Sequence, residues 1–194
     1  MKVIRKLLTV TMLALAGAFV LSYAYAASPT EETYYTKVNI WYEFPEKIFS
    51  TNYHKGTMMP VGSKVKIAEK SGNKISFTKE GLAGVTFTIT NVRKHSLVST
   101  EELFNLYFSK DDPNVPGGEF SELSSREKEN VESGSLTQGM SKEAAIMAYG
   151  YPPKHRSPDL ANDIWYYWLS RVVMNQVTFK NNKIIKIERM AGSK

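Results

Sequence analysis

Three histidines, His54, His95 and His155, are the side chains of this sequence best suited to proton transfer or metal ligation. No second histidine or cysteine stands two to four positions from any of them, so a metal site needs long-range convergence, and surface or turn positions are expected. Glu101 and Glu102 resemble a carboxylate pair. Adjacent helix positions point about 100° apart, however, and a capping role accounts for both. Gly81-Leu82-Ala83-Gly84 lacks the Lys-Ser/Thr tail and following helix of a phosphate loop and reads as a hairpin loop. The Gly-x-Ser-x-Gly and His-Glu-x-x-His signatures do not occur. Asn52-Tyr53-His54-Lys55-Gly56-Thr57, polar and aromatic between strands, either faces a ligand or forms an ordinary long turn. The chain has no cysteine, which excludes disulfides, thiolate metal sites, a cysteine nucleophile and a lipidated cysteine. These residues point to a non-enzymatic protein with no catalytic residues, no cofactor and no metal.

The N-terminus carries an address. Lys2, Arg5 and Lys6 precede an apolar run from Leu7 to Leu21, and Ala24-Tyr25-Ala26 places small residues where a signal peptidase reads. The run is short of the roughly 20 apolar residues a spanning helix needs. Residues 1–26 therefore read as a cleaved signal peptide. The expected product is an exported protein, soluble in the periplasm after cleavage near Ala26 and without a lipid anchor. Loss of the three basic residues halves the formal charge of +6 to +3, which removes the case for a nucleic-acid partner.

These sites need elements to hold them. Residues 27–36 form a polar lead with Pro29. From Lys37, Val38, Ile40 and Tyr42 alternate with Asn39, Trp41 and Glu43 as a strand ending at Pro45. Short apolar pieces follow at Ile48-Phe49, Met58-Met59, Val65/Ile67, Ile75/Phe77 and Val85/Phe87/Ile89, punctuated by glycine turns. Ser71-Gly72-Asn73 makes the clearest hairpin. Ser99-Thr100-Glu101-Glu102 opens a helix whose apolar face is Leu103, Phe104, Tyr107 and Phe108, stopping near Lys110–Pro113. Residues 37–112 thus read as a small antiparallel SH3-like β-barrel with a terminal helix, and 113–123 as a linker.

Residues 124–190 read as helix, helix, strand, strand, strand. Ser124–Glu132 is a short charged helix with a solvated face, closed by Gly134. Ser141 caps a second helix that Gly150 and Pro152-Pro153 end. Strands are expected over 164–169, 174–180 and 184–188, with Lys180–Lys183 as the tight turn between the last two. The fold class is therefore α+β, a small barrel followed by two helices on one face of a three-stranded antiparallel sheet.

Within this third, Gly139-Met140-Ser141-Lys142-Glu143, Tyr149-Gly150-Tyr151-Pro152, Asp163-Ile164-Trp165-Tyr166-Tyr167 and Val177–Lys183 follow in order. The series resembles the SmpA/OmlA (BamE-like) domain, whose fold is shared in outline with β-lactamase inhibitor protein. The resemblance spans about residues 131 to 190. It implies an envelope location and a possible link to outer-membrane assembly or integrity, or inhibition of an envelope enzyme. Family assembly factors are usually lipoproteins, and their hairpin glycine is Asn182 here, so fold and location are implied more directly than the assembly role.

The resemblance turns Trp165 and Tyr167 toward the helices. Strand alternation then puts Ile164, Tyr166 and Trp168 on the opposite face, as the expected partner-binding residues unless the N-terminal module covers them. Envelope proteins are the expected partners, with peptidoglycan as the alternative, through a cell-wall-ligand-binding module on the Asn52–Thr57 loop.

Overall fold

A computed structural model describes residues 32–191 of the chain; the export segment expected over residues 1–26 lies outside them. The fold is α+β. It opens with β1 (Thr33–Thr36), then β2 (Ile40–Tyr42), β3 (Ile48–Phe49), β4 (Thr57–Met59), β5 (Lys64–Ser71), β6 (Lys74–Lys79) and β7 (Thr86–Thr90). The short helix α1 (Arg93–Ser96) and α2 (Thr100–Tyr107) lead to β8 (Phe108–Ser109). The helices α3 (Ser125–Glu132) and α4 (Lys142–Tyr149) precede β9 (Ile164–Ser170), β10 (Val173–Lys180) and β11 (Lys183–Ala191).

Three sheets result, in the orders β3-β7-β6-β5-β1-β8, β11-β10-β9 and β2-β4. Three expectations need correction here. The lead over 27–36 is a strand from Thr33, because β-branched and tyrosine residues suit a pleated surface and β1 finds partners on both sides, β5 and β8. The first sheet is mixed, because β3 pairs parallel with β7 while its other pairings are antiparallel. The helix expected to run toward Lys110 ends at Tyr107, where Phe108 turns extended and joins β1. The hairpins form where they were expected. Gly72 adopts φ 57° between β5 and β6, and Asn181 and Asn182 adopt φ 51° and 61° between β10 and β11.

Within the described residues there are two hydrophobic clusters. One gathers Ile40, Ile75, Phe77, Phe87 and Ile89 from the strands with Leu103, Phe104 and Tyr107 from α2. The other packs Val131 of α3 and Ala144, Ala145 and Ala148 of α4 on Trp165, Tyr167, Val177 and Phe179 of the three-stranded sheet. Val61, ahead of β5, belongs to the second cluster, and Ile146 of α4 packs against both.

The starts of α2 and α3 carry reciprocal caps, Ser99 with Glu102 and Ser124 with Glu127, and Ser141 caps α4. Glu127 corrects the expectation of a wholly solvated α3. It is buried, and its carboxylate accepts from the Ser141 N–H at 2.8 Å and from the Lys183 ammonium at 3.0 Å. Burial pushes the carboxyl up, but the Ser124 hydroxyl, the Ser141 N–H and Lys183 outweigh it and hold it at about 2. This one charged side chain becomes interior because the α4 N-terminus and the β10–β11 hairpin close over it, while Arg126, Glu129 and Glu132 stay exposed.

Candidate functional site

The loop from Asn52 to Thr57 is held from behind by polar contacts to α4. Asn52 sits at φ 44°, a conformation asparagine tolerates. Its Oδ1 accepts from the Trp41 N–H at 3.0 Å, and its Nδ2 donates to the Tyr149 carbonyl at 3.0 Å. Asn39, fully buried, donates to the Val131 and Ala148 carbonyls at 2.7 and 3.1 Å and accepts from the Val61 N–H at 2.8 Å. One asparagine thereby ties β2 to the ends of α3 and α4. Gly134 and Gly150 permit the close approach. Each has positive φ, and a Cβ on Gly134 would lie 2.5 Å from the Trp41 ring.

His54 fills the space between these parts. Its ring stacks on Tyr149 at 3.7 Å between centroids and meets Trp41 and Tyr167 edge-on. Nδ1 lies 3.3 Å from the Trp168 carbonyl and Nε2 3.1 Å from that of Tyr149. Burial lowers the imidazole to about 4, against the pull of the two carbonyls, which favour the charged form. A neutral imidazole has one N–H, so only one of the two carbonyls receives a proton at neutral pH.

With His54 turned inward, Tyr53 and Lys55 face a groove. Trp41, Tyr42, Phe44, Lys47, Phe49 and Arg171 share its first cavity, of about 260 Å³, with them. Tyr53 and Arg171 are also walls of a second cavity, of about 380 Å³, which adds Thr51, His95, His155, Arg156 and Trp168. Among the described residues, Glu43 is the only carboxylate lining either. Phe44 is 59 % and Phe49 37 % exposed. The groove therefore combines aromatic faces with lysine and arginine, which suits an anionic ligand carrying rings or sugar faces.

The fold brings His95 and His155 together, 60 positions apart in sequence, with centroids 4.6 Å apart. The backbone N–H and Nδ1 of His155 both meet the His95 carbonyl, at 3.1 and 3.0 Å, which assigns the Nδ1 proton and leaves Nε2 for another partner. His95 is held below the usual histidine value by desolvation, His155 and Lys94. The Thr51 hydroxyl and His95 Nδ1 are buried without a hydrogen-bond partner. Among the described residues no group of three or more metal-ligating side chains gathers.

The three expected partner-contact residues do not form one exposed patch. Ile164 is 43 % exposed, Tyr166 is half-buried and donates its backbone N–H to the Ser157 hydroxyl, and Trp168 is only 8 % exposed. A register shift between Val173 and Met174 breaks the alternation opposite Trp168, whose indole lies within 8° of parallel to His155. The Asn52–Thr57 loop supplies two groove residues, Tyr53 and Lys55. The groove's other walls come from segments that no local motif marked.

No family model, curated protein or solved structure matches this chain.

Proposed function

We propose that this chain is a non-enzymatic exported protein of the cell envelope that acts by binding, and that its ligand is an anionic cell-wall glycan seated over Tyr53, Lys55 and Arg171. The observation that carries this reading is the convergence of Lys47, Lys55, Arg156 and Arg171 with six aromatic walls around two adjoining cavities that hold, among the described residues, a single carboxylate. Sugar faces stack on exposed rings, and guanidinium and ammonium groups meet carboxylate or phosphoryl substituents.

The two capped helices over β9–β11 support the finer reading of residues 124–190 as a domain like SmpA/OmlA. The strands of residues 37–112 are read as an SH3-like half-barrel with a parallel edge strand added. The reading is tested by sedimenting the exported protein with purified peptidoglycan sacculi. The wild type co-sediments at low salt and is released as salt rises, while Tyr53→Ala with Lys55→Ala stays in the supernatant. Equal sedimentation of both proteins refutes it.

A second reading, scaffolding between envelope proteins, is favoured by β9 being a sheet edge with Ile164 exposed. Crosslinked pull-down with Ile164→Asp against wild type tests it: loss of one captured envelope protein supports scaffolding, and identical capture removes it.

A further inference from the structure

The second cavity of the groove is lined by Thr51, Tyr53, His95, His155, Arg156, Trp168 and Arg171, every one of which carries a hydrogen-bond donor or a cation. No carboxylate lines it. Two of its polar atoms, Thr51 Oγ1 and His95 Nδ1, are buried without a partner. Thr51 is only 7 % exposed, so its unmatched hydroxyl carries a desolvation cost that a bound acceptor would relieve.

We propose that this cavity holds a phosphoryl group of the ligand, between Thr51, the His95–His155 pair and Arg171. The proposal rests on the groove reading above and names the anion that the groove selects. The donors arrive from four separate segments: the Asn52 loop, α1, the loop before β9 and the turn after it. A planar carboxylate is satisfied by one guanidinium fork, whereas a phosphoryl group offers three acceptor oxygens and up to two charges to donors on several sides. His155 Nε2, left open by the Nδ1 contact to the His95 carbonyl, is one such donor when the ring is protonated. The parallel rings of His155 and Trp168 make a flat wall beside it.

The test titrates the exported protein, at constant ionic strength, with glucose 1-phosphate, inorganic phosphate and acetate, following tryptophan fluorescence. The two phosphates bind at least tenfold more tightly than acetate. Arg171→Gln, an exposed position, and Thr51→Val each weaken them at least fivefold with unchanged thermal unfolding. Vesicles of phosphatidic acid in phosphatidylcholine separate the sources: tighter binding to these than to glucose 1-phosphate assigns a lipid head, the reverse a saccharide, and either supports the phosphoryl assignment. Acetate binding as tightly as phosphate, or Arg171→Gln binding like wild type, overturns it. If sacculi still retain the wild type while no phosphate binds, the phosphoryl assignment falls and the groove reading stands; if neither binds, both fall.

Discussion

The His54 imidazole lies flat on the Tyr149 ring, 3.7 Å between centroids, and its Nε2 faces the carbonyl oxygen of that same residue at 3.1 Å. One residue of α4 thus offers the loop both a stacking surface and a hydrogen-bond acceptor. The contact sets the loop's direction, because an inward His54 obliges Tyr53 and Lys55 to face the groove.

A pH dependence follows from that enclosure. His54 titrates at about 4 when folded and near 6.5 when unfolded, so the unfolded chain takes up a proton first as pH falls. The contribution is present above about pH 6.5 and is lost as pH falls toward 4. Urea unfolding of wild type and His54→Gln at pH 7 and pH 5 checks this. The wild-type advantage shrinks by on the order of 1 kcal/mol at the lower pH, the ring retaining a partly exposed edge.

Glu127 acts in a lower window with the same sign. Its folded carboxyl is depressed to about 2, so its contribution is present above about pH 4.5 and is lost as pH falls through 2. Glu127→Gln leaves the Lys183 ammonium without its counter-charge and costs about 1–3 kcal/mol at pH 7. Acid-unfolding curves of the two proteins converge near pH 2.

Asn39 is the tie between the two hydrophobic clusters. Replacing it with Ala leaves the Val61 N–H without its acceptor and takes a donor from the Ala148 and Val131 carbonyls, the latter keeping the Gly134 N–H. A loss of about 2–4 kcal/mol in denaturant unfolding is expected. Hydrogen exchange should rise at both Val61 and the end of α4, since one side chain holds both.

Short-range chemistry made much of the fold legible. The serine caps at Ser99 and Ser141 and the Gly72-Asn73 and Asn181-Asn182 turns depend on neighbours within a few residues. What the sequence hid depends on distant partners. Thr33–Thr36 has no apolar alternation of its own and is a strand because β5 and β8 flank it. Trp168 is buried because His155 and the His54 loop pack beside it, cover that comes from distant segments. The groove is harder still to read, since its walls come from residues 41–55, 95, 155–156, 168 and 171. Only the Asn52–Thr57 loop, with its aromatic and basic side chains, marked the place.

Binding to solubilised cell-wall glycan by wild type, Lys55→Glu with Arg171→Glu, and Ile164→Asp tests the central claim most directly. Both groove cations and Ile164 are exposed, so all three proteins should fold alike and give the same unfolding midpoint within about 0.5 kcal/mol. Calorimetric titration should show the charge-reversed groove losing at least tenfold in affinity while Ile164→Asp binds as wild type does. Undiminished binding by the charge-reversed protein, with loss in Ile164→Asp, would contradict the account and move the binding surface to the β9 edge.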